Sequence, residues 1–255
     1  MTPPTAPFAV TMLLYPGCTL LDLVGPLTVL AALPGARIEL CWKTLGPVQT
    51  DTGTAVLADT TLASADTAPT VLFVPGGADG TLALLNDAEV LAWLKDRGQH
   101  ARWVTSVCSG SLLLGAAGLL EGYAATAHWA VRDALKHFGA RPLAERVVID
   151  RNRMTGGGVT AGIDFGLVLA ARLSGEELAR QTQLAMEYAP APPFAAGTPE
   201  KAGPELTAAV TATYDMAAAW AAIAQAAGRL NAARDHGPKI PRRLVLAGEP
   251  GQRGD

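Results

Sequence analysis

Short apolar runs alternate with amphipathic stretches along the first two thirds of the chain. Apolar or β-branched runs bounded by Gly, Pro or polar positions are typical of strands, whereas apolar positions three or four residues apart are typical of helices. On this basis strands are predicted at 8–15, 37–44, 53–58, 70–74, 102–107, 124–127, 146–149 and 153–155. Helices are predicted at 20–33, 88–99, 112–120, 129–138, 161–173 and 176–188.

This alternation predicts an α/β protein with a doubly wound, mostly parallel sheet and helices on both faces. Residues 70–74 form a continuous apolar run, which is typical of a strand buried on both sides of such a sheet. With 255 residues the chain is long enough for a large core, and residues 1–200 are predicted to form one α/β domain.

The C-terminal region divides into a helical part and a part rich in Pro, Gly and Arg. Apolar residues recur at three- and four-residue spacing from about 205 to 231, which predicts one amphipathic helix. This helix lies in the segment 201–236. The segment either folds back on the same domain or contacts a second copy of the chain, and the sequence does not distinguish these two interpretations. The tail at 237–255 is expected to be disordered.

Charge and composition exclude several classes of partner. Hydrophobic residues make up 49% of the chain and charged residues 17%, with a formal net charge of −3. This balance offers no basic surface for nucleic acid or an anionic membrane. No stretch approaches the roughly 20 apolar residues that a membrane span requires. We therefore expect neither nucleic acid nor a membrane as a partner.

The cysteines indicate a reducing compartment. Cys18, Cys41 and Cys108 cannot all pair with one another, and their spacing forms neither a zinc-binding pair nor a CxxC. Disulfides persist mainly in oxidising compartments, so unpaired cysteines are typical of a cytoplasmic protein, which we expect here. Because the cysteine spacing does not suit zinc, we expect no metal site.

Cys108 is the candidate nucleophile. It lies between the predicted strand 102–107 and a helix, in the stretch SVCSGS, where small residues on both sides permit a tight strand–turn–helix junction. Such a junction lifts the side chain out of the sheet and places it near the positive end of a helix, which favours an exposed thiolate of low pKa. The alternative is that Cys108 is a small buried apolar residue.

Other candidate site residues follow neighbouring strands, whose carboxyl ends meet at one edge of a parallel sheet. Asp22 lies in the apolar stretch TLLDLVGP, so it is either a helix cap or a carboxyl group of perturbed pKa that exchanges protons with the thiol. Gly76 and Gly77 form either a simple turn or, with the backbone N–H of Ser109, a site that stabilises developing negative charge.

Three further residues are possible pocket residues. His128, in AATAHWA, is either catalytic or a hydrogen-bonded structural residue. Thr105 belongs to the strand that leads to Cys108. Thr160 is expected to cap the helix that follows the glycines at 156–158, which lack the lysine of a phosphate loop and are interpreted as a tight turn.

Taken together, PGG after a buried strand, SVCSGS at the junction and an acid after the first strand resemble the ThiJ/PfpI superfamily. The similarity is greatest to its isocyanide hydratase branch, and it runs through LLDLVGPLTVLAALP, SVCSGSLLLGAAGLLEGYAATAHWA, TGGGVTAGIDF and QLAMEYAPAPPF, covering about residues 8–200. The resemblance implies a flavodoxin-like fold with a nucleophile elbow at Cys108, Asp22 as its acid/base partner, and a homodimer.

The activity that the resemblance implies is addition of water to an isocyanide, giving an N-substituted formamide through a cysteine thioimidate, without a cofactor. Ser109 stands where peptidase-like members have histidine, and Asp22 stands where many other members have glutamate. Two alternatives stay open at this point. One is a glyoxalase or deglycase acting on 2-oxoaldehydes, and the other is a redox sensor or chaperone that uses Cys108 as an oxidisable thiol.

Overall fold

The fold is built around a seven-stranded sheet. The structure is a computed structural model, and it describes residues 7–235. In chain order the strands are β1 (Phe8–Leu13), β2 (Ala36–Trp42), β3 (Gly46–Gln49), β4 (Ala55–Ala58), β5 (Thr60–Thr61), β6 (Val71–Val74), β7 (Trp103–Val107), β8 (Ala124–Ala125), β9 (Arg141–Pro142), β10 (Val147–Asp150) and β11 (Arg153–Gly156). The α-helices are α1 (Leu20–Ala31), α2 (Ala78–Leu84), α3 (Ala88–His100), α4 (Gly110–Ala116), α5 (Ala161–Ser174), α6 (Glu176–Ala185), α7 (Pro199–Ala202), α8 (Pro204–Thr211) and α9 (Met216–Asp235).

The sheet is doubly wound, as predicted. Its strand order is β10-β11-β7-β6-β1-β2-β5, and each pair is parallel except β10 with β11. The chain moves from β1 outward to β2 and then returns to build β6 and β7 on the other side of β1. Because crossover connections are right-handed, this reversal places helices on both faces. Accordingly α1, α5 and α6 pack together, whereas α2, α3, α4 and α9 form a second group.

The central strands explain why the site lies where it does. All residues of β6 are buried, as are all but the first residues of β1 and β7, so these strands carry apolar side chains on both faces. The strand order reverses between β1 and β6, and a crevice forms at this point beyond the carboxyl ends of the strands.

Several short elements differ from the predicted ones. The helix α2 and the strand β3 were not predicted, and the predicted helix 129–138 is a 3-10 helix over Arg132–Phe138. The strand predicted at 124–127 is only β8, which pairs with β9 in a separate small sheet. The helix α4 ends at Ala116 rather than at 120, because Gly118 adopts a positive φ of 77° that a continuing helix cannot accommodate.

The prediction of one C-terminal helix was wrong. Residues 205–231 contain α8 and α9, separated by a break at 212–215. Asp215, the residue before α9, caps this helix: its Oδ1 accepts a hydrogen bond from the backbone N–H of Ala218 at 2.9 Å. The helix α9 packs on α2 and α4, and Arg229 donates a hydrogen bond to the Leu85 carbonyl oxygen at 2.6 Å.

The predicted tail at 237–255 lies outside the described residues, and so does residue 236. Within residues 7–235, no helix has both the length and the apolar character needed to cross a membrane.

Candidate active site

The carboxyl ends of β1, β6 and β7 bring Asp22, Gly76 and Cys108 together. Cys108 follows β7 directly and has a positive φ of 55°, which is rare and costly for a residue with a side chain. Its backbone N–H donates to the carbonyl oxygens of Gly156 at 3.1 Å and Gly157 at 2.7 Å, and these bonds hold the conformation. Cys108 therefore occupies a nucleophile elbow between β7 and α4.

Glycine is required at two positions around this elbow. A Cβ atom on Gly76 would lie 2.6 Å from Oδ2 of Asp22 and 2.7 Å from Cβ of Cys108. A Cβ atom on Gly110 would lie 2.4 Å from the Val74 carbonyl oxygen. The absence of side chains at these positions allows the carboxyl group, the thiol and two loops to pack in contact.

Asp22 lies in the first turn of α1 and its side chain is fully buried. Its Oδ2 accepts a hydrogen bond from the Gly76 N–H at 3.0 Å, while Oδ1 is buried without a nitrogen or oxygen partner among the described residues. Burial raises the pKa of Asp22 to about 7, although the Cys108 thiol and the Gly76 N–H partly counteract this shift. The Asp22 carboxyl group thus binds the Gly76 loop rather than capping α1, and it lies beside the thiol with a pKa near neutrality.

The expectation of an exposed, low-pKa thiolate was wrong. Cys108 is only 7% exposed, and burial raises the pKa of its thiol well above the ordinary value. A negative charge on Asp22 would raise it further, whereas the backbone N–H of Ser109 lowers it. A thiol of raised pKa stays protonated unless a base lies beside it, and the Asp22 carboxyl group is placed next to this thiol.

The N–H groups of Gly76 and Gly77 are not free, contrary to expectation. Gly76 donates to Asp22, and Gly77 donates to Oγ of Ser109 at 3.0 Å. The Ser109 hydroxyl lies 2.9 Å from that of Thr81, which lies 2.9 Å from the hydroxyl of Tyr15.

The direction of this hydroxyl chain follows from its two ends. Gly77 N–H donates to Ser109, and Tyr15 donates to the Pro75 carbonyl oxygen at 2.9 Å. Ser109 must therefore donate to Thr81, and Thr81 to Tyr15, which uses each hydroxyl proton once. The chain fixes Ser109 beside Cys108 and leaves its backbone N–H as the donor near the sulfur atom.

A pocket of about 500 Å³ opens above Cys108. Much of its lining is apolar and includes Leu82, Leu112, Val131, Val159 and Met216.

His128 also lines this pocket, and its Nδ1 accepts a hydrogen bond from the Ala130 N–H at 3.3 Å. Burial lowers the pKa of His128, so its ring is neutral at neutral pH. The ring proton therefore lies on Nε2, so His128 is a neutral residue of the pocket wall that can donate a hydrogen bond.

Two predicted pocket residues lie elsewhere. The hydroxyl of Thr105 is buried in the sheet and donates to the Leu72 carbonyl oxygen at 2.8 Å. Thr160 precedes α5 but makes no side-chain cap, and its exposed hydroxyl accepts a hydrogen bond from Arg146 at 3.3 Å. Val159, next to Thr160, lines the pocket instead.

Residues 9–172 match the profile of the DJ-1/PfpI family over more than half of the chain. The chain belongs to the DJ-1/PfpI family. This finding confirms the predicted resemblance, and the nucleophile elbow lies within the matched residues.

Several proteins of known name or structure are similar to this chain. The isonitrile hydratase of Pseudomonas putida is 50% identical over 190 residues, which cover 74% of this chain and 82% of that protein. A solved ThiJ/PfpI family protein from Pseudomonas syringae is 48% identical with a TM-score of 0.84, covering 89% of this chain and 93% of the other. The HTH-type transcriptional regulator GbdR of Pseudomonas aeruginosa is 33% identical over 68% of this chain, but only 48% of that regulator is matched.

Sequence reasoning missed Tyr15, Thr81 and Tyr214. Tyr15 and Thr81 belong to the buried hydroxyl chain, and nothing in their local sequence separates them from ordinary core residues. Tyr214 lines the pocket from the break between α8 and α9, beyond the residues that match the DJ-1/PfpI profile. The signal for that break was present, because Asp215 precedes a helical run and aspartate is a preferred first residue of a helix.

No metal site is formed by the residues that the structure describes. Among residues 7–235, no group of three or more His, Cys, Asp or Glu side chains is placed to hold a metal ion.

Proposed function

We propose that the protein is an isonitrile hydratase, which adds water to an isocyanide R–NC and releases the formamide R–NH–CHO. The contact between Asp22 and Cys108 at the floor of the pocket carries this proposal, since it joins a nucleophile to a carboxyl group whose pKa is about 7. The 50% identical isonitrile hydratase of Pseudomonas putida supports it. The resulting activity is that of a cofactor-independent hydro-lyase.

In the proposed first step the sulfur atom of Cys108 bonds to the terminal isocyanide carbon. The thiol proton passes through the Asp22 carboxyl group to the same carbon, which gives the thioimidate R–N=CH–S–Cys. Asp22 suits this transfer because an acid/base group is most effective when its pKa lies near the working pH. The Ser109 N–H stabilises negative charge on sulfur as the proton leaves.

In the second step a water molecule attacks the thioimidate carbon. Asp22 takes one proton from the water and delivers it to nitrogen, giving the tetrahedral adduct R–NH–CH(OH)–S–Cys. The carbon–sulfur bond then breaks, the hydroxyl proton returns through Asp22 to sulfur, and the formamide leaves. The covalent bond to Cys108 divides the reaction into two proton-coupled additions that need no metal or organic cofactor.

The test is turnover of an isocyanide by the purified protein. Incubation with cyclohexyl isocyanide should yield N-cyclohexylformamide at a rate that saturates with substrate, measured by liquid chromatography. A parallel incubation with methylglyoxal tests the glyoxalase or deglycase alternative by the appearance of lactate. Lactate without formamide would overturn the proposal, and so would the absence of both products from a folded protein with a free Cys108 thiol.

Three further parts of the proposal concern the assembly, the compartment and the binding partner. We propose a homodimer as the working assembly and the cytoplasm as the compartment, with a small-molecule isocyanide as the binding partner. In support of a reducing compartment, Cys18, Cys41 and Cys108 are all free thiols in the described part of the chain.

A further inference from the structure

The junction between α8 and α9 forms one wall of the pocket above Cys108. Residues 213–216 and Ala219 all line the pocket, although they follow the family-matched residues by more than forty positions. Tyr214 is the aromatic residue of this wall. Its ring meets the His128 ring edge-on at a centroid distance of 6.2 Å and lies 6.4 Å from the Trp129 ring.

Hydrogen bonds at both ends hold this wall in place. The Thr213 hydroxyl donates to the Val210 carbonyl oxygen at 2.7 Å, which closes the end of α8. The Met216 N–H donates to the Tyr214 carbonyl oxygen at 2.9 Å, and Asp215 caps α9. The position of Tyr214 is thus fixed by its own backbone as well as by its ring contacts.

The shape of an isocyanide directs its substituent away from the thiol. The C–N–R axis is linear, so a carbon atom held at the Cys108 sulfur atom projects the R group outward from the pocket floor. A methyl or ethyl group would leave most of the 500 Å³ unfilled. A larger group extends from the floor toward the walls, and Tyr214 and Met216 lie on one of them.

The charge of the lining narrows the class of R group. Among the described lining residues, Asp79 and Asp215 carry negative charge, and no lysine or arginine is present. His128 is neutral because its pKa is lowered by burial. A carboxylate on the R group would meet like charge without a cationic partner, so the pocket disfavours an anionic substituent.

We propose that Tyr214 is a specificity-determining residue, which contacts the R group and favours an aromatic substituent over a small alkyl one. The inference rests on the proposed hydratase function and names the substrate class of that site. An aromatic R group gains an edge or face contact with the Tyr214 ring and a sulfur contact with Met216. A small alkyl group gains neither.

The first experiment compares benzyl isocyanide with ethyl isocyanide in the parent protein, Tyr214→Ala, Tyr214→Phe and Trp220→Ala. An aromatic contact is worth about 0.5–1.5 kcal/mol, so kcat/KM of Tyr214→Ala for benzyl isocyanide should fall about 2- to 12-fold, mainly through KM. Ethyl isocyanide should be hydrated as by the parent. Tyr214→Phe keeps the ring and should keep the preference.

Trp220→Ala is the matched control. Trp220 is an exposed aromatic residue of α9 that packs on His137 and does not line the pocket, so both substrates should be hydrated as by the parent. Equal losses for both substrates in Tyr214→Ala would overturn the inference, because they would make Tyr214 a purely structural residue. Unchanged preference in that variant would overturn it as well.

A second measurement does not depend on hydration. The rates at which iodoacetamide and N-phenyl iodoacetamide alkylate Cys108 are followed by mass spectrometry of the modified peptide. Tyr214→Ala should lower the ratio of the alkylation rate with N-phenyl iodoacetamide to the rate with iodoacetamide. Trp220→Ala should leave this ratio unchanged. A lowered ratio in a protein that hydrates no isocyanide would mean that the proposed function fails while recognition of an aromatic group by Tyr214 stands. An unchanged ratio would overturn that recognition.

Discussion

Cys108 is the residue whose removal should affect chemistry most and the fold least. Cys108→Ala keeps the small buried side chain and the same positive φ, so we expect the parent melting temperature with no measurable formamide production. The control is Cys41→Ala, which removes another buried thiol, on β2, and should keep most of the activity. Substantial turnover by Cys108→Ala, or its loss in Cys41→Ala at unchanged stability, would show that Cys108 is not the nucleophile.

Asp22→Asn tests proton transfer separately from packing. The amide has the size of the carboxyl group and can still accept a hydrogen bond from the Gly76 N–H, but it cannot carry a proton between sulfur, carbon and nitrogen. We expect kcat to fall by about 10²–10⁴-fold, the range typical of a general acid/base group. A steady-state assay with cyclohexyl isocyanide measures this, and near-parent kcat would leave Asp22 with a structural role only.

The same substitution should change how stability depends on pH. The pKa of Asp22 is about 7 in the folded protein against an ordinary value of 3.8, so between these values the folded state binds more protons than the unfolded chain. The free energy of unfolding therefore falls as pH rises from about 4 to about 7, by at most about 4 kcal/mol from this group. Urea unfolding should show that the free energy of unfolding of Asp22→Asn rises relative to that of the parent as pH increases from about 4 to about 7. A difference that does not change with pH would contradict the raised pKa of Asp22.

The sequence predicted where these two residues lie but not how they titrate. The positions of Cys108 and Asp22 follow from local patterns at strand ends. The thiol is buried, and the pocket above it is lined partly by residues distant in sequence, such as Tyr214; no local pattern contains that information. The position of Cys108 before a helix predicted a lowered thiol pKa, but burial has the larger effect and raises the pKa instead.

At the scale of secondary-structure elements, the junction between β7 and α4 has no room for a side chain at Gly110. A Cβ atom there would meet the Val74 and Pro75 carbonyl oxygens at 2.4 and 2.5 Å, and these backbone atoms lie at the end of β6 and directly after it. We expect Gly110→Ala to lower the free energy of unfolding by about 1–3 kcal/mol or more and to reduce turnover. Gly228→Ala, inside α9 with nothing within 4 Å, should instead add up to about 1 kcal/mol. Urea titrations measure both, and equal effects would contradict this description of the elbow.

Element prediction succeeded where one physical signal dominated. The continuous apolar run of β6 and the helical spacing of α3 and α5 came within a residue or two of the observed bounds. The helix α2 has seven residues, too few for a periodic pattern to emerge. The break before α9 was missed because apolar spacing continues across it, although Asp215 marked it.

At the scale of the whole molecule we expect a homodimer in solution. Large apolar side chains stay exposed on the described chain, among them Leu184 at 81%, Leu57 at 65% and Leu45 at 63%, and a second copy could cover such surfaces. Light scattering across a dilution series should give twice the chain mass, and the urea midpoint should rise with protein concentration. A single-chain mass at every concentration would contradict the prediction.

The edges of the sheet restrict the form that such a dimer can take. On one side the sheet ends in β5, which has two residues, and on the other in β10, which has four and runs antiparallel to its neighbour. Short edges present few unpaired backbone groups to a strand from another molecule. Two copies should therefore associate through helices, loops or the β3–β4 hairpin instead of extending the sheet, and concentrated protein should resist aggregation by edge-to-edge strand pairing.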